Sequence, residues 1–84
     1  MVVFMENIQG RVIELVKGFT MVDIITGTNE KLIELGIDSL TKVELIISLE
    51  DEFEVLFNDS DLIPANFNNI QDLVNLVSIY VGAN

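Results

Sequence analysis

The chain has 84 residues, half of them hydrophobic, with 14 acidic side chains against 4 basic ones and neither histidine nor cysteine. That length makes one domain with a modest core, and the missing residue types exclude a disulfide framework, a zinc–thiolate site, a reactive thiol and histidine-based catalysis. The formal net charge of -10 argues against nucleic acid and anionic membrane surfaces, and for basic partners held by salt-sensitive attraction.

The charge is uneven along the chain. No lysine or arginine follows Lys42, whereas Glu44, Glu50, Asp51, Glu52, Glu54, Asp59, Asp61 and Asp72 all lie beyond it. The opening "MVVFMENIQG" lacks the basic start and extended apolar stretch of a signal peptide. No apolar run reaches the roughly 18 residues that a membrane span needs. The expected setting is the cytoplasm, with residues 1–84 as a single domain. Met5 is an alternative start, which would make residues 1–4 a disordered extension.

The first helical pattern covers about residues 4–17. Phe4, Ile8, Val12, Leu15 and Phe19 recur at spacings of three and four, with Met5 and Val16 beside them. Lys17 suits the negative end of that helix and Gly18 is its stop. Residues 20–38 then form a long connection in which Ile24, Ile25, Leu32, Ile33 and Leu35 can pin the chain to the core. A connection of that length in a compact domain is usually functional.

The second helix is predicted from Ser39 to about Glu54. Asp38 is its N-cap, with a carboxylate able to accept the first free backbone N–H groups. A short helical turn near Asp59 to Ile63 is ended by Pro64. Asn68 or Asn69 caps a final helix reaching about Val81, with Ile70, Leu73, Val74, Val77, Tyr80 and Val81 on one face and Gly82 at its end. The expected fold is all-α, a bundle of three longer helices and one short third helix.

The second helix carries two apolar faces. Leu45, Ile46, Leu49 and Phe53 fall within an arc of about 100° and form the core stripe. Leu40, Val43 and Ile47 fall on the opposite side, within about 60° of one another, among Glu44, Glu50, Asp51 and Glu54. One reading buries both faces; the other makes the second face an exposed docking patch. Burying unpaired carboxylates costs several kcal/mol, so the docking patch is the better reading. Lys42 sits beside the core stripe and must carry its ammonium outward on its stem.

Ser39 has no histidine to activate it, and a Ser–Lys pairing with Lys42, three residues on, lacks an apolar pocket around the lysine. Asp59 and Asp61 begin like a calcium loop, but Pro64 occupies the position where that loop needs glycine. No metal site is expected. The chain is read as non-catalytic, and Ser39 as an acceptor on which another enzyme acts.

The stretch "ELGIDSLTKVELIISLEDEF", Glu34 to Phe53, resembles the acyl carrier protein family, with the attachment motif at Gly36–Ile37–Asp38–Ser39–Leu40. The likeness extends to the helix before it and the helices after it. It implies the four-helix carrier bundle, and a 4'-phosphopantetheine arm attached to Ser39 from coenzyme A by a separate phosphopantetheinyl transferase. Acyl or aminoacyl groups would ride on the arm's thiol as thioesters. It further implies a transferase contact at Asp38, and a partner-facing surface at Leu40, Val43, Glu44 and Ile47, to which the helical wheel adds Glu50 and Asp51. The implied partners are loading, condensing and modifying enzymes with basic docking surfaces, met by a monomeric carrier.

Thr41 and Lys42 stand where carriers of primary fatty-acid synthesis commonly have another acid, and "NDSDLIPANF" is less acidic than their third helix. Those features resemble discrete carriers of polyketide, nonribosomal-peptide or aminoacyl-transfer systems. "IDSL", in contrast, resembles acyl carriers more than peptidyl carriers, which often have histidine before the serine. The alternatives are an aminoacyl or peptidyl carrier, and an acidic helical adaptor that keeps the fold without the modification.

Overall fold

The computed structural model describes residues 8–21, 25 and 27–82. Helix α1, Ile8–Lys17, buries Ile8, Val12 and Val16 at helical spacing. Leu15, Phe19 and also Ile13 pack half-buried at its margin. The helix closes through Gly18 N–H to the Leu15 carbonyl at 3.0 Å and Phe19 N–H to that of Val16 at 2.9 Å. Phe4 and Met5, expected in the same stripe, lie outside the described residues.

In the connection, Leu32 and Leu35 are buried and Ile25 is half-buried, while Ile24 lies outside the described residues. The expectation fails at Ile33, which stands 75% exposed. A 3₁₀ turn, Ile33–Leu35, explains this. At three residues per turn, Leu32 and Leu35 share the inward side and Ile33 points out. Gly36 closes the turn at φ 81°, a left-handed backbone that disfavours any side chain, and delivers Ile37 fully buried into the core. Backbone hydrogen bonds from Leu32 to Asn68 (2.9 Å), Ile70 to Glu30 (3.2 Å) and Gln71 to Thr28 (2.8 Å) fasten this connection to the start of the last helix.

Helix α2, Ser39–Phe53, buries Leu45 and Leu49 and packs Ile46 and Phe53 at the core's edge, which is the predicted core stripe. Arg11 clamps α1 to its end. The guanidinium donates to the Glu52 carboxylate and to the Glu52 carbonyl, both at 2.9 Å, and lies 4.4 Å from the centre of the Phe53 ring. Glu54 terminates α2 at φ 56°, a left-handed conformation usually given to glycine. That conformation costs an L-residue about 1–2 kcal/mol, more than the roughly 0.4–1 kcal/mol of unfolded-chain entropy that glycine adds. Glu54→Gly is therefore expected to raise the midpoint of thermal unfolding, a gain readable by circular dichroism.

The short third helix expected near Asp59 to Ile63 is not an α-helix. Two 3₁₀ turns, Asp59–Asp61 and Pro64–Asn66, occupy the segment. Pro64 opens the second turn, where its missing N–H costs nothing, as well as closing off the first. The segment is tied down by side chains instead of a helical ladder. The Tyr80 hydroxyl accepts from Asn58 N–H at 2.7 Å and donates to the Asp61 carboxylate at 2.5 Å, while its ring meets buried Phe57 edge-on with centroids 5.0 Å apart. Phe67 is buried in the same core.

Helix α3, Ile70–Val81, is capped by Asn69. The Asn69 side chain accepts from Asp72 N–H at 2.9 Å, and the Asp72 carboxylate accepts from Asn69 N–H at 3.1 Å, a reciprocal capping box. Ile70, Leu73, Val74, Leu76 and Val77 are buried; Tyr80 and Val81 pack half-buried beside them. Helix α1 packs mainly on α3, and α2 leans against both. The fold is all-helical among the described residues apart from one isolated bridge, Lys31–Asn69. Among the described residues no helix is long and apolar enough to cross a membrane.

Candidate functional site at the start of helix α2

The core pulls Ile37 inward, and the chain must then turn outward to begin α2. Asp38 does this in an extended conformation, its carboxylate accepting from Thr41 N–H at 2.9 Å while its carbonyl accepts from Lys42 N–H at 2.8 Å. The Thr41 N–H, and after it the Thr41 hydroxyl, hold the Asp38 carboxyl below its ordinary value of 3.8. A depressed carboxyl contributes stability that is present above the unfolded value and lost as pH falls through the folded one. The stability gap between wild type and Asp38→Ala is therefore expected to be full at neutral pH and to narrow below pH 3.8, as thermal unfolding across an acid series would show.

Ser39 follows as the first residue of α2 and is exposed. No hydrogen bond engages its hydroxyl among the described residues. Three other serines exist: Ser48 and Ser78 are half-buried within helices, and Ser60 is exposed in the 3₁₀ turn between Asp59 and Asp61. Ser60 also follows an aspartate, but two flanking carboxylates repel an incoming phosphate there. Ser39 instead stands at the positive end of a 15-residue helix, where an anion is favoured.

The second apolar face of α2 lies open. Leu40 is 73%, Val43 52% and Ile47 54% exposed, with Glu44 and Asp51 exposed around them. The bland alternative, that both faces are buried, does not hold. Glu50 is drawn inward, because its carboxylate accepts from Phe57 N–H at 3.0 Å and so fixes the exit from α2. Sequence reasoning missed Leu56, which is 80% exposed. With Ile47, Asp51 and Val55 it lines a groove of about 520 Å³ that prolongs the face past the end of the helix. The apolar pair in "EVLF", straight after an acidic helix, was the available signal.

Residues 10–77 match the family model described as the phosphopantetheine attachment site. The chain belongs to the phosphopantetheine-dependent carrier protein family. Aminoacyl carrier protein 1 of Bradyrhizobium diazoefficiens is 29% identical over 77 residues, covering 88% of this chain and 86% of that relative. Aminoacyl carrier protein 2 of the same organism is 24% identical over 80 residues, covering 92% and 90%. An acyl carrier protein homolog of Mycoplasma genitalium is 46% identical over 46 residues, covering 55% and 52%. No solved structure matches the chain at a significant level.

The cofactor of this carrier is 4'-phosphopantetheine. The start of α2 fits the group: an exposed serine hydroxyl with no competing hydrogen bond among the described residues, at the N-terminus of a helix, where negative charge is favoured.

Proposed function

We propose that Ser39 bears the phosphopantetheine arm and that the chain, itself non-catalytic, carries acyl or aminoacyl groups to successive biosynthetic enzymes. The observation that carries this reading is the exposed, unengaged hydroxyl at the first position of α2. Among the serines it combines exposure with the start of a long helix. When bound, the arm supplies a terminal thiol on which cargo is held as a thioester.

The chain's own residues divide the remaining work. Asp38 caps α2 and fixes where the Ser39 hydroxyl projects. That hydroxyl attacks the pyrophosphate of coenzyme A at the phosphorus bearing pantetheine. A new P–O bond forms to Ser39, the pyrophosphate bridge breaks, and adenosine 3',5'-bisphosphate leaves. The hydroxyl proton passes to a base of the transferase, since the chain has no histidine and no base of its own engages the serine. After loading, the helix N-terminus favours the phosphodiester's negative charge.

The face made by Leu40, Val43 and Ile47, rimmed by Glu44 and Asp51, serves docking. Its apolar centre buries against a partner, and its acids meet basic side chains there, which favours fast association and release over tight binding. The names of the full-length relatives favour aminoacyl cargo, and "IDSL" resembles acyl carriers; both belong to the same carrier role. The fold is that of a carrier bundle whose short third helix is reduced to 3₁₀ turns. The carrier acts as a monomer in the cytoplasm.

The test incubates the chain with coenzyme A and a broad-specificity phosphopantetheinyl transferase and reads intact mass. A gain of one arm is expected, and an unchanged mass contradicts the reading. Glu44→Lys is expected to slow loading several-fold at low salt, with the gap from wild type narrowing as salt rises. A salt-independent rate equal to that of wild type would remove Glu44 from the docking surface.

A further inference from the structure

Of the chain's 4 cationic side chains, two are paired: Arg11 with Glu52 and Lys17 with Glu14. Lys31 and Lys42 make no ion pair among the described residues, yet both line one groove of about 600 Å³. Its walls come from Lys31 and Ile33 of the connection, Lys42 of α2, and Asn68 and Asp72 at the start of α3. Asp72 does not neutralise the lysines by pairing with them. Its carboxylate accepts from the N–H groups of Asn68 and Asn69 at 3.0 and 3.1 Å, as the capping box requires.

Two ammonium groups with no ion-pair partner among the described residues thus share one groove, in a chain otherwise crowded with acids. A groove lined in this way favours an anion. The attachment site supplies one nearby. Lys42 lies three residues after Ser39, so the two are surface neighbours about 5–6 Å apart at Cβ. Helical side chains lean toward the N-terminus, which carries the Lys42 stem back over the turn that holds Ser39. Ile33, outward-facing because of the 3₁₀ turn, gives the same groove an apolar wall, and exposed Asn68 contributes an amide.

We propose that this groove seats the arm after loading, and that Lys42 and Lys31 hold an anionic group on it. The anion is either the phosphodiester at Ser39 or a carboxylate on the cargo. The proposal rests on attachment at Ser39.

The test compares four forms of ¹⁵N-labelled protein at low salt: unloaded, bearing the arm, and bearing the arm with butyryl or succinyl cargo, which differ by a terminal carboxylate. Amide shifts at Lys31, Ile33 and Asn68, with the lysine side-chain nitrogens, are expected to move on loading and to lose that movement in Lys31→Gln/Lys42→Gln. Equal movement in all three loaded forms, with a displaced ³¹P resonance, assigns the anion to the phosphodiester. Movement confined to the succinyl form assigns it to the carboxylate. Signals that stay still in every form, or move equally in the double variant, overturn the proposal while leaving attachment intact. A mass that never rises overturns both.

Discussion

Truncating Leu49 to Ala is expected to cost about 2–5 kcal/mol of folding stability, from lost burial and the cavity left behind. Leu49 is fully buried where α2 meets the core shared with α1 and α3. Val43→Ser and Ile47→Ser, on the opposite side of the same helix, are expected to stay within roughly 1 kcal/mol of wild type, since both side chains are already half in water. Their effect should fall on function, as slower loading by the transferase or slower delivery to a downstream enzyme. Chemical denaturation and transfer kinetics on the same three variants separate the two faces. A loss of several kcal/mol on replacing Val43 or Ile47 would contradict an exposed docking face.

Ser39→Ala is expected to abolish uptake of the arm while leaving the fold in place. The substitution removes the nucleophilic oxygen but not the cap, because the helix start is secured by the Asp38 carboxylate on Thr41 N–H. Among the described residues the hydroxyl makes no hydrogen bond whose loss the fold would feel. Ser60→Ala, at the other exposed aspartate–serine pair, is expected to load like wild type. Intact mass after incubation with coenzyme A and transferase reads both variants, and circular dichroism confirms that each is folded. Residual uptake by Ser39→Ala would place the arm elsewhere.

Much of this was legible in the residues because helical spacing dominates the chain. The stripe Ile8–Val12–Val16, the two faces of α2 and the face of Ile70, Leu73, Val74 and Val77 follow from 3.6-residue periodicity, although buried Leu76 was not expected on that face, and Asp38 and the pair Asn68–Asn69 announce the helix starts by residue type. The irregular segments were less legible. Ile33 was expected inward with Leu32 and Leu35, but a 3₁₀ turn repeats every three residues and leaves the middle position outside. Ile37, Phe57 and Phe67 are buried although none belongs to a periodic stripe; the tertiary path of the chain decides their burial. The segment after α2 forms two 3₁₀ turns in place of the expected short helix, and its order depends on Tyr80, 19 residues away from Asp61. Such a contact leaves no local signature. The candidate site was legible for the opposite reason: its cap, serine and exposed leucine are consecutive residues.

The most direct measurement maps the modification to a residue. The wild-type chain is loaded from coenzyme A by a phosphopantetheinyl transferase, digested, and sequenced by tandem mass spectrometry. The arm is predicted on Ser39 alone. An arm found on Ser48, Ser60 or Ser78, or no arm at all, would contradict the assignment of this helix start as the carrier site.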